Sequence, residues 1–194
     1  MSIIDRGPVD RRRVLQVVGT SALASIAGCI SDDGGTDGEG GEDVNPESVD
    51  VADDATWRTA SLTDVTSDEE FRVADFDRPA IVHTFSRGCT ACHAQQKQFA
   101  DFYATAGDVE IVDLTIDPND DPEKIRTYAS EDGFEWRFGT STEDVTRSLI
   151  DDFGRDVTTS AASPVIVVCP NGGVYSLDKV VDAGPLESVL DGNC

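Results

Sequence analysis

Basic side chains are scarce in this chain: 15 lysines and arginines stand against 38 aspartates and glutamates in 194 residues, a formal net charge of −23. Lysine occurs only as Lys97, Lys124 and Lys179. A field of that sign repels nucleic acid and keeps the protein soluble, so nucleic acid is excluded as a partner. It also works against a compact fold by self-repulsion unless salt screens it, which at 1 M happens within about 3 Å. We read the composition as adaptation to concentrated salt. An ordinary acidic protein and a surface for a cationic partner are the alternatives. Methionine is limited to Met1 and histidine to His83 and His93, which narrows any metal or haem chemistry. The apolar segment from Val14 to Ile26 is too short and too rich in Gly, Ser and Thr to span a bilayer, which takes roughly 20 apolar residues.

What chemistry there is concentrates in Gly88-Cys89-Thr90-Ala91-Cys92-His93. Before it, Ala80–Phe85 reads as a buried central strand; after it, Cys92, Gln95/Gln96, Phe99 and Phe102/Tyr103 recur at helical spacing. Two cysteines spaced C-x-x-C where a strand hands over to a helix make a thiol–disulfide exchange site. The spacing lets a small disulfide ring close. The helix start brings unpaired N–H groups and a partial positive charge to the first sulfur, which favours its thiolate. The same letters, C-x-x-C-H, also spell a c-type haem attachment site. Haem would need both thiols on an open helical wrap, with His93 as one axial ligand. The usual distal methionine is missing, because Met1 leaves with the signal, and His83 is strand-bound. Zinc on two cysteines and two histidines meets the same obstacle. No cofactor is therefore expected.

The amino terminus carries processing signals. Arg11-Arg12-Arg13-Val14-Leu15-Gln16 resembles a twin-arginine export signal, and Ile26-Ala27-Gly28-Cys29 resembles a lipobox, whose cysteine becomes the lipidated first residue. Residues 30–54 hold ten acids and no lysine or arginine, so they read as a disordered, self-repelling tether. The expected organisation is a signal peptide at 1–28, a tether at 29–55 and a folded domain at 56–194. Such a protein is exported, anchored to the membrane through Cys29, and placed where disulfide chemistry is permitted.

Within the folded part, residues 56–62 and 70–73 read as short strands forming an antiparallel edge pair. Residues 109–116 are a second buried strand, rich in β-branched side chains. Asp121-Pro122-Glu123 supplies an N-cap, a proline at the first helical position and a first-turn acid for a helix to about Ser130. Ser141 and Asp144 fit a capping box ahead of a helix that buries Val145, Leu149 and Phe153. Residues 164–169 form a third buried strand, which Asn171-Gly172-Gly173 turns into a hairpin with 174–177. A last helix covers about 185–190. Its end returns to the sheet edge where Cys169 lies. Cys169 is thus either a small buried residue or half of a structural Cys169–Cys194 disulfide.

The order of these elements is that of an α/β thioredoxin-like fold, a mixed central sheet with helices on both faces. Residues 80–104, Ser163-Pro164 before a strand, and the Asn-Gly-Gly hairpin resemble the TlpA/ResA-type redoxins of the thioredoxin superfamily, and the acidic composition resembles that of haloarchaeal proteins. The resemblance implies that Cys89 is the exposed nucleophile and Cys92 the buried resolving thiol of a redox-active disulfide. It implies a cis Pro164 beside the sulfurs, and it places Gly88 where the family usually has Trp. His83 lies where thioredoxins keep a buried acid that moves a proton for the second cysteine. Its ordinary pKa of about 6.5 suits that task, though a histidine satisfied within the sheet is the competing reading. His93 faces solvent, or lowers a neighbouring thiol's pKa if charged. The implied partners are extracytoplasmic protein thiols or disulfides, and a membrane electron donor. The implied setting is maturation of cytochrome c or copper sites. Residues 121–154 also resemble the Sco copper chaperones. Those carry C-x-x-x-C and a distal histidine that 158–163 lacks, so copper chaperoning is the alternative function.

Overall fold

Ala80–Phe85 is buried at all six positions, which only a central strand covered on both faces permits. A computed structural model describes residues 46–159, 161–179 and 181–194. The export signal, Cys29 and most of the expected tether lie outside the described residues. In chain order the elements are β1 (Glu47–Ser48), α1 (Thr56–Thr59), β2 (Leu62–Thr63), β3 (Glu70–Phe71), β4 (Ala80–Phe85), α2 (Thr90–Ala106), β5 (Glu110–Thr115), α3 (Pro122–Asp132), β6 (Arg137–Thr140), α4 (Glu143–Phe153), β7 (Val165–Val168), β8 (Val174–Leu177) and α5 (Ala183–Asn193). Among the described residues no helix is long and apolar enough to cross a membrane.

The main sheet runs β1-β8-β7-β4-β5-β6, with β4, β5 and β6 parallel and the other pairs antiparallel. Side chains alternate across β4. Ile81 and Phe85 enter one core with Cys92, Phe99 and Phe102 of α2, Ile125 of α3 and Leu186 of α5. Ala80 and Val82 enter the other with Trp57 of α1 and Val145 and Leu149 of α4. Helices therefore cover both faces. The architecture is the mixed α/β one expected. At the end of α3, Gly133 adopts φ 71° and its N–H bonds back to Ala129 O, a left-handed cap that suits glycine.

Several local expectations change. Residues 56–59 form a helical turn rather than a strand, because Trp57 is wholly buried against Phe153 of α4 and its Nε1 donates to Asp152 at 2.7 Å. The antiparallel pair survives in shortened form, Leu62 opposite Phe71, as a separate two-stranded sheet. The cap of α4 is Thr142, whose hydroxyl accepts from Val145 N, so the helix begins one residue later than the Ser141 box implies. Strand β6 was not expected. Gly139 interrupts its apolar pattern, yet a Cβ there would stand 3.0 Å from Leu114 Cδ2, so the Leu114 side chain of β5 occupies the space that any larger residue would need. Finally, β1 lies within the stretch read as tether. Glu47 pairs with Ser176, and Val49 and Val51 pack on the second core.

The carboxy terminus is tied down covalently, with Cys169 and Cys194 joined by a disulfide at a Cα separation of 5.0 Å. In the chain-entropy account, closing a loop of this size stabilises by roughly 3–4 kcal/mol. Because Ala80 pairs with Val168, this bond lies at the end of the sheet where β4 begins. The other cysteine pair lies beyond the end where β4 finishes.

Candidate active site

Strand β4 delivers the chain into a three-residue turn, Ser86-Arg87-Gly88, closed by Cys89 N donating to Ser86 O at 3.0 Å. Arg87 Nε holds this turn to Asp120 beyond β5 at 2.5 Å. Cys89 is then the N-cap of α2, and its Sγ accepts the Cys92 N–H at 3.0 Å. A disulfide joins Cys89 to Cys92, with Cα atoms 5.2 Å apart. The two sulfurs differ in surroundings. Cys92 has no exposed surface, whereas Cys89 is half-buried beside the helix start.

His83 and Asp113 face each other in the parallel register of β4 and β5, and His83 Nδ1 lies 2.6 Å from Asp113 Oδ1. Neither side chain has any exposure. Trp136 Nε1 donates to the other carboxylate oxygen at 2.7 Å, and Phe99 of α2 packs edge-on to the imidazole. Among the described residues His83 Nε2 has no hydrogen-bond partner.

Lys179, after β8, places Nζ 3.1 Å from Cys92 Sγ. Its approach is set by Gln95, a buried residue of α2. Gln95 Nε2 donates to Val181 O at 3.0 Å and its Oε1 accepts Val181 N–H at 2.8 Å. Burial pushes the Lys179 ammonium down to about 8, against the opposing pull of the Asp113 charge.

Other expected site residues are placed elsewhere. His93 turns towards the end of α3, with Nε2 2.9 Å from Asp132 Oδ1, and Lys97 joins the same oxygen at 3.1 Å. The His93 hydrogen bond, with help from Lys97, holds the Asp132 carboxyl below the usual range. His93 also packs on Tyr128 and Phe134. Tyr128 donates to Gln96 Oε1, and burial raises its phenol, with the charges of Asp113 and Asp132 adding to the effect. Pro164 stands just before the start of β7 and next to the end of β4, since Val165 pairs with His83. Among the described residues every peptide bond is trans, so the implied cis Pro164 is corrected. Trans is the ordinary X-Pro isomer. Here buried Ser163 is bonded to Thr84 Oγ1 at 2.5 Å, and β7 starts directly after Pro164.

The donor set does not fit the three-ligand copper site of the alternative reading. Both histidines are engaged by carboxylates, and His83 is sealed in the sheet. Among the described residues no three His, Cys, Asp or Glu side chains are grouped to hold a metal ion. Sequence reasoning missed Lys179, Gln95, Asp113 and Trp136. The available signals were an acid inside a β-branched run at Asp113 and a rare lysine at position 179.

No family model and no curated protein matches this chain. Solved structures do. A SCO1/SenC family lipoprotein from Bacillus anthracis shares 20% identity over 75% of this chain and 94% of its own, with TM-score 0.57. A secreted Mycobacterium tuberculosis disulfide oxidoreductase homologous to Escherichia coli DsbE shares 11% identity over 68% of this chain and 97% of its own, with TM-score 0.54. A thioredoxin-like protein from Aeropyrum pernix shares 17% over 68% and 87%, with TM-score 0.52. At these identities the likeness is one of fold. With its strand-to-helix cysteine pair, the chain has the thioredoxin-like fold.

Proposed function

We propose that this protein is an exported, lipid-anchored thiol–disulfide oxidoreductase that exchanges Cys89–Cys92 with the thiols and disulfides of other extracytoplasmic proteins. One observation carries the reading: a disulfide sits across the first turn of α2 with one sulfur half-buried and the other sealed. After reduction, Cys89 Sγ keeps the Cys92 N–H and the partial positive charge of the helix start, which favours its thiolate. That thiolate attacks a partner disulfide and forms a mixed disulfide. Cys92 then attacks Cys89 Sγ and releases the reduced partner. The reverse sequence oxidises a dithiol. In this reading Pro164, at the same end of the sheet, shapes the groove beside Cys89, and His83, bonded to Asp113, is available to move a proton behind α2.

The twin-arginine-like segment and Cys29 support export and anchoring, and with them a membrane electron donor. The resemblance of residues 80–104 to TlpA/ResA-type redoxins supports work on cysteines of cytochrome c or copper sites. The test is the reduction potential of Cys89–Cys92, equilibrated with glutathione in high salt, with Cys89→Ser as control. A potential well below about −200 mV makes the protein a reductant fed across the membrane, and one near −120 mV makes it a disulfide donor. A pair that does not cycle sinks the oxidoreductase reading.

A further inference from the structure

We propose that Lys179 is a catalytic residue of the exchange reaction, the proton acceptor and donor of the Cys92 sulfur. The inference rests on the oxidoreductase reading and adds a group to it. Cys92 has no exposed surface, so its thiol cannot lose a proton directly to bulk water, and its thiolate would be costly without a cation. Among the described residues Lys179 places its Nζ on that sulfur, 3.1 Å away, and is only half-buried, so it connects the sealed sulfur to solvent. The contact is built. The paired hydrogen bonds of Gln95 to both backbone groups of Val181 tie the chain to α2 two residues beyond Lys179. Among the described residues the charged and titratable groups that act on the ammonium include Cys92 of α2, disulfide-bonded to Cys89, and Asp113 on β5 with His83 of β4 bonded to it, while exposed Asp178 and Asp182 flank it in the chain.

In the mixed disulfide, Lys179 as free amine takes the Cys92 proton. The Cys92 thiolate attacks Cys89 Sγ, the Cys89–partner S–S bond breaks, and the partner leaves as a thiolate with the electron pair. The Cys89–Cys92 bond forms, so two electrons have passed from the dithiol to the partner. In the opposite direction a partner thiolate attacks Cys89. Cys92 leaves with the electron pair and receives the proton of the Lys179 ammonium. A lysine poised at about 8 can serve both ways near neutral pH.

The experiment follows reduced full-length protein carrying Cys29→Ser with an aromatic disulfide, 5,5′-dithiobis(2-nitrobenzoate). A Cys89→Ser/Cys92→Ser control subtracts other thiols. The first thionitrobenzoate released reports attack by Cys89, the second reports attack by Cys92. The second phase is expected to rise through an inflection near pH 8. Lys179→Met should slow it by about tenfold or more and move the inflection to higher pH, where the Cys92 thiol ionises unaided, while the first phase stays within about twofold. Lys179→Arg keeps a cation that cannot deprotonate, so its inflection reports the Cys92 thiol alone and should also leave the wild-type position. An inflection unmoved in both variants, or a second phase unchanged in Lys179→Met, overturns the assignment. Wild-type protein releasing one equivalent instead of two would overturn the oxidoreductase reading beneath it.

Discussion

Asp113 is a carboxylate with no exposed surface, and it persists because both oxygens are claimed, one by His83 Nδ1 and one by Trp136 Nε1. An unpaired charge there would be expensive, whereas hydrogen bonds to a charged group each stabilise by about 1.5–3 kcal/mol. Asp113→Asn keeps the shape but offers a single accepting oxygen to two partners. Urea unfolding of the oxidised protein should show a loss of about 1.5–3 kcal/mol. An unchanged midpoint would mean that the triad contributes nothing net. At this scale the sequence exposed the individual oddities, a histidine inside β4 and an acid inside β5, but not that they meet. Their contact depends on a parallel register set by the whole sheet, in which position 83 lands opposite 113.

Between elements, the strap after β8 is attached to α2 largely through Gln95, whose two bonds satisfy both backbone groups of Val181. Gln95→Leu preserves bulk and removes both partners from a buried amide and carbonyl. Each orphaned group costs about 1–3 kcal/mol, so the loss in unfolding free energy should be roughly 2–6 kcal/mol. The second thionitrobenzoate phase should slow with it, because Lys179 is two residues from the released backbone. Normal stability with a normal second phase would show that the strap is held by other contacts. Elements defined by periodic apolar faces were legible: β4 was read with its observed ends, and α3 with its Asp121 cap and proline start. Those defined by a tertiary partner were not. The turn at Trp57 exists because α4 covers it, and β6 tolerates Gly139 because Leu114 needs the space. The Cys89–Cys92 spacing could be read directly, since it is local; the Lys179 contact spans 87 residues and leaves no local pattern.

Over the whole molecule the charge balance decides under which conditions the fold is comfortable. With a net charge of −23, cations are shared among acids: Arg137 lies within reach of Asp64, Glu69 and Glu110, and Arg78 of Asp77, Asp108 and Glu110. These contacts fall between 3.1 and 3.9 Å, comparable to the screening length of about 3 Å in 1 M salt, so such salt weakens them only in part. Repulsion among the unmatched carboxylates acts over longer distances, where the same salt removes most of it. The balance therefore favours the folded state as salt rises. Exposed pairs, worth at most about 1 kcal/mol each, cannot reverse that sign. The urea midpoint of the full chain near neutral pH should climb steadily as KCl is raised from about 0.1 M to about 2 M. The Cys89–Cys92 disulfide should remain reducible throughout. To separate screening from a general strengthening of apolar burial, the series is repeated at low ionic strength with sucrose, which strengthens burial without screening charge. A midpoint that rises as far in sucrose as in KCl, or stays flat in KCl, would remove the argument for adaptation to concentrated salt.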